Sequence, residues 1–193
     1  MSAPPKQRKI AFMGFRSVGK SSLIIQFVEN HFVDNYEPTI ENTFHKSLKL
    51  GGQEYHLQVV DTAGQDEYSI IPQSYFMNIN GYVLVYSVNS EKSFSVAKFV
   101  YQRLLDMKGQ MDVPVVLVAN KTDLRMERVV SYEDGKKLAD SWKAPFIEAS
   151  AKENSLSFLI FEQFEENSCV TVSDDSDNAT TEGTTCRNKI LAS

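Results

Sequence analysis

The hydrophobic pattern along the first third of the chain predicts a strand, a helix and a hairpin in turn. Residues 9–13 form an apolar run, and residues 21–29 repeat apolar positions at the spacing of a helical face. Residues 43–50 and 53–61 are strand-like segments separated by Gly51-Gly52. Because glycine accepts positive φ, this dipeptide indicates a turn that joins two antiparallel strands.

The rest of the pattern alternates buried strands with amphipathic helices. Residues 82–88 and 113–119 are continuous apolar runs, which are typical of strands covered on both faces. Ser90 is placed to cap a helix between these two runs, and Ser131 begins a capping-box pattern before another helix. A last short strand is expected over residues 145–149.

This order of elements predicts an α/β fold with six strands. Alternating strands and helices favour a mostly parallel sheet with helices on both faces, and the hairpin adds one antiparallel edge strand. The 193 residues correspond to one domain with a surplus, at a prior of roughly 150 residues per domain. We expect a flexible N-terminus over residues 1–7, the domain over 8–167, and a disordered tail over 168–193 that is rich in Ser, Thr and Asp.

Composition and charge exclude several classes of function. The net charge of −5 argues against electrostatic binding of nucleic acid or of an anionic membrane. No apolar run approaches the ~20 residues that span a bilayer, and we find no secretory signal. Both cysteines, Cys169 and Cys186, lie near the C-terminus, which argues against a disulfide framework. We expect a cytoplasmic monomer.

A phosphate-binding loop stands between the first strand and the first helix. Residues 14–21, GFRSVGKS, match the pattern G-x-x-x-x-G-K-[ST]. The backbone N–H groups of such a loop and the helix N-terminus form a positive, concave site. Lys20 can reach the outer phosphates, and the Ser21 hydroxyl can bind Mg²⁺. The loop indicates a nucleoside triphosphate and leaves ATP and GTP open.

A second motif distinguishes the base. Asn120, Lys121 and Asp123 follow directly on the strand of residues 113–119. An aspartate there can accept hydrogen bonds from both N1–H and the 2-amino group of guanine, whereas adenine offers no such pair of donors. Asn120 can bridge neighbouring loops, and Lys121 can lie along the base. These residues favour guanine and argue against the alternative of a phosphate-loop ATPase or nucleotide kinase.

Two further loops add candidate site residues. Asp61 ends the second hairpin strand and can act on Mg²⁺ through water, and Gly64 can offer its N–H group to a terminal phosphate. Gln65 lies where a side chain could orient an attacking water molecule. Residues 150–152, Ser-Ala-Lys, follow the last strand, and the N–H group of Ala151 can contact guanine O6.

Taken together, these motifs resemble those of the Ras superfamily of small GTPases. The segments that carry the resemblance are 14–22, 26–29, 36–44, 52–57, 60–70 and 126–129. The resemblance extends from about residue 8 to residue 154. It implies a P-loop NTPase (Ras-like) fold, GTP and GDP as ligands with Mg²⁺, and a molecular switch that hydrolyses GTP.

The resemblance also assigns roles to residues of this chain. Thr39 would bind Mg²⁺ together with Ser21 and Asp61, and two switch segments would be ordered by the γ-phosphate and the metal. The nucleotide-binding residues that it implies are Ser17, Val18, Gly19, Lys20, Ser21, Ser22, Val33, Tyr36, Thr39, Gly64, Asn120, Lys121, Asp123, Ser150, Ala151 and Lys152. The effector and switch residues that it implies are Tyr36, Glu37, Pro38, Thr39, Ile40, Glu41, Asn42, Tyr68, Ile70 and Ile71.

The residues that the resemblance implies for catalysis are Arg16, Tyr36 and Gln65. Most members of the superfamily carry glycine at the position of Arg16, because a side chain there crowds the approach to the γ-phosphate. The arginine therefore predicts slow hydrolysis, and Tyr36 could shield the phosphate and reduce the role of Gln65. The alternative is an adaptor that holds nucleotide with negligible hydrolysis.

Partners and location follow from the same resemblance. It implies a GTPase-activating protein and the TOR kinase complex, which the GTP-bound form would activate. Members of the superfamily end in a long helix and a C-a-a-X prenylation motif, whereas this chain diverges after Asn154 and ends in Ile-Leu-Ala-Ser. We expect a shorter last helix, no lipid anchor in this chain, and weak association with endomembranes; a poorly folded truncated isoform is the alternative.

Overall fold

The computed structural model describes residues 4–32, 39–50, 52–109 and 113–153. Its strands are β1 (Lys6–Met13), β2 (Glu41–Leu50), β3 (Gln53–Thr62), β4 (Gly81–Ser87), β5 (Val115–Asn120) and β6 (Phe146–Glu148). Its α-helices are α1 (Lys20–Glu29), α2 (Glu91–Lys108) and α3 (Tyr132–Ser141). Short 3₁₀ turns lie at Gln73–Tyr75 and Arg125–Glu127.

The six strands form one sheet in the order β2-β3-β1-β4-β5-β6. The hairpin strands β2 and β3 are antiparallel, and every other neighbouring pair is parallel. The predicted fold class is therefore confirmed. The first strand begins at Lys6, earlier than the apolar run predicted from residue 9, because Lys6 already pairs with Tyr55 of β3.

The burial of each strand follows from its hydrophobic pattern. In β3 the buried side chains of Tyr55 and Leu57 alternate with the exposed His56 and Gln58, as expected for a strand with one covered face. All seven residues of β4 are buried, as expected for a central parallel strand with helices on both faces.

Helices cover both faces of the sheet. On one face, Leu23 and Ile24 of α1 lie in a core cluster with Val59 of β3. On the other face, Val100 of α2 and Ala139 of α3 share a second core cluster with β4 and β5. Each of these clusters contains many fully buried apolar side chains, so both faces contribute to stability.

Capping side chains fix where two helices begin. The Ser90 hydroxyl accepts a hydrogen bond of 3.2 Å from the N–H group of Ser93 at the start of α2. The Ser131 hydroxyl accepts one of 3.1 Å from the N–H group of Asp134 at the start of α3. Each bond satisfies a helix N–H group that has no partner within the helix.

Parallel topology brings the candidate site residues to one edge of the sheet. The loops after β1, β3, β5 and β6 all leave the carboxyl ends of parallel strands, and these ends lie side by side. In such open sheets, ligands bind outside the carboxyl ends of the strands.

Several predicted features lie outside the described residues. These are the shorter last helix, the Ser/Thr/Asp-rich tail with both cysteines, and the first residues of the N-terminus. Among the described residues, none of the helices is long and apolar enough to cross a membrane.

Candidate nucleotide-binding site

The loop between β1 and α1 is shaped by its close approach to another strand end. Gly19 has φ +93°, and a Cβ atom there would lie 2.3 Å from Nδ2 of Asn120. Only glycine tolerates both the backbone angle and this contact. The Asn120 Nδ2 atom in turn donates a hydrogen bond of 2.8 Å to the carbonyl oxygen of Val18. The phosphate-binding loop is thus fixed to the loop that follows β5.

Lys20 lies in the first turn of α1, folded back over the same loop. Its buried ammonium group donates hydrogen bonds of 3.0 Å to the Gly14 carbonyl and 3.1 Å to the Phe15 carbonyl. Burial lowers the pKa of Lys20 to about 8, and the nearby carboxyl of Asp61 opposes this shift. A buried ammonium at the N-terminus of a helix creates a site for an anion.

Asp61 is a buried carboxyl beside the side chains of Ser21, Lys20 and Thr39. Its side chain is 1% exposed, and neither carboxyl oxygen has a hydrogen-bond partner among the described residues. Burial raises the pKa of Asp61, whereas the Ser21 hydroxyl, the Lys20 ammonium and the Thr39 hydroxyl act to lower it. The hydroxyls of Ser21 and Thr39 lie 2.9 Å apart. One carboxylate and two hydroxyls offer oxygen ligands of the kind that Mg²⁺ prefers.

The opposite end of the site is built from the loops after β5 and β6. The Asn120 side-chain oxygen accepts a hydrogen bond of 3.3 Å from the N–H group of Ala151. The Ser150 hydroxyl donates one of 2.7 Å to a carboxyl oxygen of Asp123. These contacts join the two loops that the sequence assigns to the base.

A cavity of about 500 Å³ lies between these loops. Thirteen of the residues that line it were expected from the sequence: Arg16, Ser17, Gly19, Lys20, Ser21, Ser22, Thr39, Gly64, Asn120, Lys121, Asp123, Ala151 and Lys152. Three others were missed: Phe32, Thr62 and Leu124. Each of the three adjoins a predicted site residue, because Phe32 precedes Val33, Thr62 follows Asp61 and Leu124 follows Asp123, so neighbours of predicted residues would have been a usable signal.

Two other predicted nucleotide-binding residues are buried next to the cavity and do not line it. Val18 and Ser150 are buried; each contributes through its hydrogen bond to a neighbouring loop. Val33 and Tyr36 lie outside the described residues, as do Glu37 and Pro38 of the predicted switch.

The structure does not bring the Gln65 amide into the cavity. The side chain is 4% exposed. Its oxygen accepts a hydrogen bond of 2.6 Å from the N–H group of Gly14, and its nitrogen donates one of 2.9 Å to the Thr62 hydroxyl and another to the Ala63 carbonyl. The sequence could not indicate the contact with Gly14, because this residue lies 51 positions earlier in the chain.

Arg16 lies at the mouth of the cavity. Its side chain is exposed, and the guanidinium carbon lies 5.6 Å from the centre of the Phe15 ring. An arginine in this position contributes positive charge and bulk to the lining of the cavity.

The predicted effector residues divide into two groups. Ile40, Tyr68 and Ile70 are 86%, 91% and 94% exposed, which is unusual for large apolar side chains and is typical of interaction surfaces. Ile71 is half-buried and packs against the core on the side of α2. The sequence did not distinguish Ile70 from Ile71, because both are isoleucines in an irregular segment.

Comparisons with known proteins agree with this geometry. A family model described as the Ras family matches residues 9–183. GTP-binding protein Rheb from Homo sapiens is 65% identical over 156 residues, which cover 81% of this chain and 85% of the relative. The Rheb homolog from Drosophila melanogaster is 61% identical over 160 residues, which cover 83% and 88%. GTP-binding protein rhb1 from Schizosaccharomyces pombe is 55% identical over 152 residues, which cover 79% and 82%.

The similarity to Rheb, the Ras homolog enriched in brain, agrees with particular segments of the sequence. Residues 14–22, 36–44 and 60–70, which include the arginine at position 16, resemble Rheb in particular within the superfamily. The comparisons confirm this narrower resemblance over most of the chain.

Proposed function

This chain belongs to the Ras family and is a Rheb-like GTP-binding switch that hydrolyses GTP, and on that premise we propose that its guanine nucleotide lies in the cavity at the carboxyl edge of the sheet. The observation that carries the proposal is the position of Asn120. Its amide donates to Val18 of the phosphate loop and accepts from Ala151 of the last loop, so one side chain joins the phosphate end to the base end.

The nucleotide is oriented by the chemistry of the two ends. The N–H groups of residues 17–22 and the ammonium of Lys20 hold the phosphates, because charge-assisted donors at a helix N-terminus favour an anion. Asn120, Lys121 and Asp123 hold the base with residues 150–152. Val33 and Tyr36, for which the family resemblance implies positions beside the ribose and phosphates, complete the proposed set.

Magnesium belongs beside Lys20, at Ser21, Thr39 and Asp61, the last acting through water. The buried carboxyl of Asp61 supports this assignment, because it lies next to two hydroxyls and has no hydrogen-bond partner in the part of the chain that the structure describes. When bound, the metal neutralises charge on the phosphates. The residues themselves would hold the cation and, through Thr39, connect it to the first switch.

Slow hydrolysis follows from the positions of two side chains. Arg16 adds bulk at the mouth of the cavity, where an attacking water must approach. Gln65 is held by Gly14 and Thr62, so its amide must leave these bonds before it can orient water. Tyr36 would further shield the γ-phosphate, as the resemblance implies.

Single-turnover hydrolysis of GTP tests the role of Arg16. Arg16→Gly should hydrolyse bound GTP several-fold faster than wild type, because the crowding side chain is removed. Arg16→Lys, which keeps a long cationic side chain, should behave like wild type. Equal rates for wild type and Arg16→Gly would contradict the crowding explanation.

A GTPase-activating protein and the TOR kinase complex are the partners that we propose. The exposed side chains of Ile40, Tyr68 and Ile70 support a protein interface near the switch segments. Kinase activity of the TOR complex should rise with the GTP-loaded chain and not with the GDP-loaded chain. Equal activity with both forms would argue against a switch that acts through this complex.

A second candidate function is a nucleotide-loaded adaptor with negligible hydrolysis. The engagement of the Gln65 amide away from the cavity favours it. Phosphate release with and without an activating protein separates the two functions. Release that stays at background in both conditions would support the adaptor.

A further inference from the structure

Thr122 lies between two residues of the base-binding motif and joins the loops after β5 and β6. Its N–H group donates a hydrogen bond of 3.2 Å to the Ala149 carbonyl. Its hydroxyl donates a second one, of 3.1 Å, to the same oxygen. The pairing of β5 with β6 ends next to this point, where the Ala149 N–H group donates 2.8 Å to the Ala119 carbonyl.

The conformations of the two residues on either side of Thr122 depend on the position of its backbone. Lys121 has φ +65°, a left-handed conformation that residues other than glycine adopt only where the surroundings hold it. Asp123 accepts a hydrogen bond of 2.7 Å from Ser150, which leaves the rest of its carboxylate to the base. A small rotation of this segment would change the direction of the Asp123 carboxylate.

We propose that Thr122 is a positioning residue for guanine recognition. Its hydroxyl donates to the Ala149 carbonyl and thereby orients the Asp123 carboxylate, so that this carboxylate accepts hydrogen bonds from both N1–H and the 2-amino group of guanine. The inference rests on the proposed function of the cavity. It assigns to the motif's third residue a role in the selection of the base, through contacts between two loops and without contact to the nucleotide.

Inosine nucleotides separate this role from general loosening of the loop. Hypoxanthine keeps N1–H and lacks the 2-amino group, so an aspartate that is rotated can still accept its one hydrogen bond. Loss of alignment should therefore weaken guanine binding more than hypoxanthine binding. Loss of loop stability alone would weaken both by the same factor.

The experiment compares dissociation rates of N-methylanthraniloyl GDP and IDP from wild type, Thr122→Val and Thr122→Ser. Valine keeps the shape and the N–H bond but lacks the hydroxyl, and serine keeps the hydroxyl. For Thr122→Val we expect GDP to dissociate about five-fold faster, the factor that corresponds to one typical net hydrogen bond, and IDP to change much less. Thr122→Ser should match wild type.

Controls keep each outcome decisive. Thr43→Val changes the same side chain on the exposed face of β2 and should leave both rates unchanged. If Thr122→Val fails to fold, Thr122→Ala gives the same comparison. Unchanged GDP dissociation, or an equal acceleration for both nucleotides, would overturn the inference. Wild type that holds neither nucleotide would instead overturn the proposed function of the cavity, and this inference with it.

Discussion

At the scale of single residues, the site combines two buried ionisable groups whose environments disfavour their charged forms. Burial lowers the pKa of Lys20 and raises the pKa of Asp61. Each group lies beside the other, yet their attraction does not cancel the cost of burial. Such pKa shifts are typical of functional sites, including sites that bind a charged ligand.

Replacement of Asp61 by asparagine should stabilise the metal-free protein. The folded pKa of Asp61 lies above its unfolded value, so between these two values the folded state binds more protons and stability falls as the pH rises. At neutral pH the buried carboxylate therefore destabilises the fold. A buried polar group without a partner typically costs about 1 kcal/mol or more. Thermal melting of GDP-loaded Asp61→Asn in EDTA should occur about 2 to 4 °C higher than for wild type.

Addition of Mg²⁺ provides the second half of that measurement. Wild type should gain thermal stability from Mg²⁺, and Asp61→Asn should gain much less. Asp106→Asn, on the exposed surface of α2, serves as the matched control and should respond like wild type. A lower melting temperature for Asp61→Asn in EDTA would show that the carboxylate is satisfied in the folded protein.

Lys20 predicts a pH dependence of nucleotide affinity. Since the pKa of Lys20 in the free protein is about 8, and phosphates bind its protonated form, affinity should fall above this pH and approach about a ten-fold loss per pH unit. Equilibrium titration with GDP in EDTA between about pH 7 and 9 measures the slope. Lys20→Gln should bind more weakly with a flat profile; a flat wild-type profile would contradict the lowered pKa.

The sequence predicted the placement of the motif residues at the cavity, and it did not predict contacts with distant parts of the chain. Lys20, Asn120 and Asp123 lie at the cavity as expected. The Gln65 amide binds the Gly14 N–H group, the Thr62 hydroxyl and the Ala63 carbonyl. Ile71 packs against the core. Contacts between segments far apart in the chain leave no local signal.

At the scale of elements, the structure departs from simple propensity in α3. Gly135 lies inside this helix and is buried. A Cβ atom there would lie 2.3 Å from the Tyr86 hydroxyl and 2.5 Å from the Phe146 ring. Close packing of α3 on the sheet therefore favours glycine at position 135, whereas helix propensity would favour alanine.

Gly135→Ala should destabilise the protein despite its helical backbone. Alanine in place of glycine within a helix normally gains about 0.5 to 1 kcal/mol, but overpacking a core costs about 1 to 3 kcal/mol. We expect a net loss of about 1 kcal/mol in the free energy of unfolding, from the difference of these ranges. Denaturation by urea measures it.

A second variant identifies the cause of that loss. The Tyr86 hydroxyl is buried and has no hydrogen-bond partner among the described residues. Tyr86→Phe should therefore cost little alone and should restore part of the stability lost in Gly135→Ala. An increase in stability for Gly135→Ala by itself would refute the packing argument.

At the scale of the whole molecule, the sequence predicted the architecture well. The period of apolar residues gave six strands in one mostly parallel sheet, and parallel topology brought four loops to one edge. The exact strand limits were less predictable: β2 begins at Glu41, before the expected residue 43, because exposed polar residues in an edge strand resemble a loop. Pairing with β3 extends the strand to Glu41.

Local structure explains why a chain with a net charge of −5 can bind a polyanion. The proposed phosphate site depends on the local arrangement of N–H groups, a helix N-terminus and the ammonium of Lys20. Overall charge governs non-specific binding, whereas these fixed donors act only on a ligand inside the cavity.

Competition between GTP and ATP for the full chain tests the account most directly, because it asks whether these converging loops select guanine. A fluorescent GDP analogue is bound to the protein and displaced at equilibrium by either triphosphate. GTP should displace it at concentrations comparable to that of the analogue, and ATP should fail even in large excess. Displacement by ATP as efficient as by GTP would contradict the assignment of the loops after β5 and β6 to the guanine base.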